Sequence, residues 1–61
     1  MREVDFQTYV ARLNNLAGQL RVSVALAGTV TLVESVDSQT ETIIAQAAYQ
    51  GEQEPRYWVA E

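Results

Sequence analysis

The sequence predicts a small α+β domain: an N-terminal amphipathic helix packed on a small antiparallel sheet. Three observations carry that expectation. Apolar residues recur at spacings of three and four over residues 5–20, the spacing changes to two from Arg21 onward, and Gly28, Gly51 and Pro55 punctuate the remainder of the chain. At 61 residues the chain is a single small domain, residues 1–61.

In DFQTYVARLNNLAGQL, residues 5–20, Phe6, Tyr9, Val10, Leu13, Leu16, Ala17 and Leu20 fall on one helical stripe. Asp5 suits the N-cap, and Val4 before it is placed to pack on Tyr9 as a hydrophobic staple. Gln7, Thr8, Arg12, Asn14, Asn15 and Gln19 form the wet side.

From Arg21, Val22, Val24 and Leu26 alternate with Ser23 and Ala25, and Val30 and Leu32 then alternate with Thr29, Thr31 and Val33. Period two with β-branched residues predicts a hairpin over 21–36. Ala27 and Gly28 lie between its arms, and glycine supplies the positive φ of a tight turn.

Residues 38–50 fit helix or strand. The pattern Ser38-x-x-Glu41, the set Ile43, Ile44, Ala47 and Ala48, and Gly51 as a stop favour helix. The alternation Ile43, Ala45, Ala47, Tyr49 favours strand. Alanine is a strong helix former and a poor filler of a pleated surface, so helix is the expectation. The strand alternative makes residues 51–55 a hairpin connection and the whole a four-stranded meander behind one helix. Pro55 ends whichever element precedes it, and Arg56 to Ala60 reads as a last strand, 56–60.

Composition narrows the chemistry. The chain has no histidine, cysteine or lysine, the residues that supply most general bases, nucleophilic thiols, Schiff-base amines and soft-metal ligands. Hydroxyls are plentiful, yet an activated one needs a base. Met1 followed by bulky Arg2 is expected to stay in place, which closes the route through an N-terminal proline. Glu34, Asp37 and Glu41 match no calcium loop and read as a solvated turn and a helix start. The glycines make no phosphate-cradling loop. No catalytic residue, no cofactor and no metal site is therefore expected, and the chain is read as not an enzyme.

Four arginines, Arg2, Arg12, Arg21 and Arg56, face eight carboxylates, for a net charge of −4. Direct nucleic-acid binding is not expected from so scattered a basic set. No apolar run reaches the roughly 20 residues that cross a bilayer, and no basic run leads into an apolar one at the N-terminus, so a cytoplasmic location is expected.

What remains is docking. Tyr49, Arg56, Tyr57 and Trp58 are candidate protein-binding residues, because tyrosine, tryptophan and arginine dominate binding hot spots. Trp58 is expected as the largest core residue, which leaves Tyr57 facing outward on the opposite side of the strand. That last strand, short and apolar, is expected at a sheet edge. The function expected is a small non-catalytic protein-interaction module, a subunit, adaptor or inhibitor acting as a homo-oligomer with another protein chain as partner. A nucleic-acid-directed regulator, either a dimer using Arg2, Arg12 and Arg21 or an acidic mimic, is the alternative, and a small enzyme subunit is a further one.

Overall fold

The computed structural model describes residues 1–16 and 18–60 of the chain. Ala17, assigned above to the apolar stripe, lies outside them. The order of elements is β1 (Arg2–Val4), α1 (Phe6–Asn14), β2 (Leu20–Ala27), β3 (Val30–Asp37), β4 (Thr42–Gln50) and β5 (Arg56–Val59). The strands form one antiparallel sheet in the order β1-β5-β4-β3-β2. The fold is thus α+β, with one short helix and a five-stranded sheet.

The helix begins where the sequence places it. The Asp5 carboxylate accepts a 2.8 Å hydrogen bond from the Thr8 backbone N–H and satisfies one orphan donor of the first turn. It ends earlier than the stripe suggests, at Asn14, with Asn15 as its C-cap. Asparagine side chains compete for backbone hydrogen bonds, and Gly18 at φ +93° turns the chain toward β2. The helix is also not cleanly two-sided. Within it only Tyr9 is buried, Val10 and Leu13 are half-buried, and Phe6 is 56% exposed.

Two further expectations are corrected. A strand that sequence reading did not anticipate, β1, precedes the helix and pairs with β5, Val4 opposite Tyr57. Residues 42–50 are strand rather than helix. The presumed capping box fails because Glu41 adopts a left-handed φ of 58°, closing a turn in which the Asp37 carboxylate accepts from the Gln39 N–H at 2.9 Å. Alanine suits this strand because of what lies above it. Ala45 and Ala47, like Val59 beside them, are fully buried, and with Tyr9 they form the core. Small side chains on β4 let the helix approach and leave room for the Tyr9 and Tyr57 rings. The four-stranded meander behind one helix is therefore what forms, extended by β1.

Residues opposite one another in the register share a face. Val4, Tyr57, Ala47, Val33 and Val24 make one row across the helix side of the sheet, and Glu3, Trp58, Gln46, Glu34 and Ser23 make a row on the other. Between Ser35 and Val36 the ladder slips, so that Ile44 is an extra residue in β4 and packs toward the core beside Ala45.

Crossing from β1 to β2 over three intervening strands takes about 19 Å at about 4.8 Å per strand. A nine-residue helix spans only about 13–14 Å. Accordingly α1 packs on β4 and β5.

Candidate functional site

The four residues singled out in the sequence divide between the two faces of the sheet. Tyr49 and Tyr57 lie on the helix side. There the Tyr57 ring sits 4.9 Å from Tyr9, 5.3 Å from Phe6 and 6.4 Å, edge-on, from Tyr49. These spacings are those of favourable aromatic pairs, so the cluster reads as the structural lid of the core. Partial burial pushes the Tyr57 hydroxyl pKa upward, with smaller contributions from Tyr49 and Tyr9. The expectation of Trp58 in the core and Tyr57 facing outward is reversed: Tyr57 packs beneath the helix and Trp58 stands on the face away from it.

Arg56 and Trp58 form the second group. The Arg56 guanidinium lies 5.2 Å from the Trp58 ring centre and donates two hydrogen bonds to the Glu3 carboxylate, at 2.9 and 2.8 Å. That pairing lowers the Glu3 pKa and ties β1 to β5. Beside it Met1, Leu32, Gln46 and Trp58 line a shallow open depression of about 280 Å³. One amide among apolar side chains supplies neither a charge nor convergent donors with which to orient a small ligand. Among the described residues no group of three or more carboxylates gathers where it could hold a metal ion, and no helix is long and apolar enough to cross a membrane.

The surface that sequence reading missed is β2. The sequence predicts β5 at an edge, but β5 lies between β1 and β4, and the edges are β1 and β2. On β2 the side chains of Val22, Val24 and Leu26 project to the helix side, where the short helix does not reach. They are 59%, 61% and 78% exposed. Alternation marks them as one face of a strand, and it predicts burial for that face. Their exposure follows from strand order and helix length, which local pattern does not encode.

The two edges also differ. β1 has three residues and bears Arg2 and Glu3. β2 has eight, with Arg21 as its one charged residue, and the Arg21 guanidinium donates to the Glu41 carboxylate at 2.6 Å. Proteins ordinarily protect an edge by shortness, charge, proline or a cover. Apart from Arg21 at one end, β2 shows none of these among the described residues.

No family model, curated protein or solved structure matches this chain.

Proposed function

We propose that this chain is a small non-catalytic interaction module that docks another protein chain through β2, in the cytoplasm. The observation that carries the reading is the eight-residue unprotected edge with three large apolar side chains in line, each more than half exposed. An open strand edge supplies backbone hydrogen-bonding groups for strand addition, and the aligned side chains supply apolar area. The absence of histidine, cysteine and lysine from the sequence supports docking over catalysis, because the groups that most often move protons or form covalent intermediates near neutrality are missing. Tyr49 and Tyr57 lie apart from that edge, packed on each other and, through Tyr57, on the helix. Arg56 and Trp58 remain a second, smaller contact patch on the opposite face.

The test is site-specific photo-crosslinking in the native cell, with a photoreactive residue at position 26 and a control at exposed position 53. Adducts to protein are expected from position 26 and not from position 53. No adduct from position 26 above the control would remove the reading.

A further inference from the structure

Rows of backbone groups narrow what can sit on β2. In an antiparallel ladder, residue pairs that exchange both hydrogen bonds alternate with pairs that exchange none. The β2–β3 hairpin turns through two residues, Gly28 and Thr29, between the paired Ala27 and Val30. The pair closing such a loop is a bonded one. The phase repeats at the far end of the ladder, where the Ser38 N–H donates to the Gln19 carbonyl at 2.7 Å. Ala27, Ala25, Ser23 and Arg21 therefore bond to β3, while Leu20, Val22, Val24 and Leu26 direct their N–H and C=O groups to the free edge. Those same four residues carry their side chains on the helix side of the sheet.

We infer that the occupant of this edge is a second copy of the same chain, its β2 running antiparallel to the first about a two-fold axis at Ser23. The inference rests on the docking reading above and names the partner for it. In this register Leu20 lies opposite the second copy's Leu26, and Val22 opposite the second copy's Val24. Every outward backbone group then faces another, with none left over, and two five-stranded sheets continue into one. A shift by one residue would set outward groups against residues already bonded to β3. A shift that moves the axis to Val24 would carry Leu20 past the end of the facing strand.

Side chains and charge agree with that register. The axis stands perpendicular to the sheet, so both helices lie on one side, and Val22, Val24 and Leu26 meet apolar neighbours on that same side. Each copy carries a net charge of −4, so two copies repel over most approaches. Of the two edge strands, β1 carries Glu3 while β2 contains no carboxylate, which makes β2 the edge along which two copies can close. Its one cation, Arg21, falls opposite the second copy's Ala25, away from a like charge. The β1 edge, at three residues, is too short to offer a comparable ladder.

The chain has no cysteine of its own, so a single introduced thiol reads the register directly. Ser23 sits on the axis as a non-bonded pair, where Cα atoms approach to about 4.5 Å, inside the span a disulfide bridges. Ser23→Cys is expected to form a covalent dimer under mild oxidation about tenfold faster than Ser38→Cys, an exposed turn position off the edge. Wild type is expected to sediment as a dimer at high concentration and to dissociate on dilution. Val24→Pro removes only an N–H that faces the second copy, and an edge strand tolerates proline there. It is expected to weaken self-association about tenfold or more with the circular dichroism unchanged, and Leu26→Lys to do the same should the proline variant not fold. A monomer at all concentrations to about 0.5 mM overturns the inference. So does a dimer in which Ser23→Cys links no faster than Ser38→Cys and neither edge variant weakens association. If the wild type is monomeric and position 26 still crosslinks to a different protein in the cell, self-pairing fails while docking at β2 stands. If it is monomeric and position 26 yields no adduct, both fail.

Discussion

The half of the sheet under the helix and the half beyond it are built from similar residues and behave differently. Ala45, Ala47 and Val59 are fully buried, while Val22, Val24 and Leu26, two or three strands away on the same face, are largely in water. Residue type does not separate the two sets, since alanine is inside and leucine outside. What separates them is the reach of a nine-residue helix that stops at Asn14. Burial in a domain this small is thus decided by where a second layer happens to end. A leftover apolar strip is the natural place for an interface.

The largest test of that contrast is one substitution made in both halves. Ala47→Leu inserts three carbons beneath the helix, where the core has no room, and is expected to destabilise by about 1–3 kcal/mol. At about 4–8 °C per kcal/mol for a domain of this size, thermal unfolding at fixed protein concentration would register it clearly. Ala25→Leu, on exposed β2 and on the face away from the helix, is expected to stay within about 0.5 kcal/mol. Equal effects would mean that position 47 beneath the helix is no more enclosed than an open edge strand. Phe6→Ala probes the border between them. Its ring touches Tyr57 and Tyr9 yet is mostly in water, and removing those aromatic pairs is expected to destabilise by about 1 kcal/mol.

The smallest effect is electrostatic, and it compares the two edges. Glu3 is held by Arg56 beside β1, and Glu41 by Arg21 beside β2, which lowers both carboxyl pKa values; Thr8, through its side chain and then its backbone N–H, does the same for Asp5. Groups with depressed native values contribute stability that is complete above the ordinary carboxylate pKa of about 4 and is lost as pH falls through the depressed values. The unfolding midpoint is therefore expected to decline modestly on acidification below about pH 4. Glu3→Gln and Glu41→Gln should each flatten that decline slightly, since exposed pairs contribute little.

The sequence made some of this architecture legible and not the rest, for identifiable reasons. The hairpin around Gly28 and the cap at Asp5 were readable because turn and cap chemistry is local. The identity of residues 42–50 was not, because alanine there answers to the helix overhead rather than to strand propensity. β1 escaped notice because three residues carry too little periodicity to register. The candidate aromatic residues stand out by type, and the last strand, which carries Tyr57 and Trp58, is internal to the sheet rather than at its edge. The β2 face was visible as a pattern, but its exposure depended on the order of strands, which emerges only once β1 inserts beside β5.

The irregularity at Ile44 makes the length of the chain negotiable at one point. Because Ile44 and Ala45 both lean to the core side opposite a single position on β3, deleting Ile44 would straighten the ladder and leave every later side chain pointing where it does now. Deleting Ala45 would do the same with Ile44 moving into its place, whereas deleting Gln46, Ala47 or Ala48 with the irregularity kept would turn the remainder of the strand over, sending Tyr49 to the side of Trp58. Loss of one codon should thus be survivable at the Ile44–Ala45 step and ruinous further along the strand.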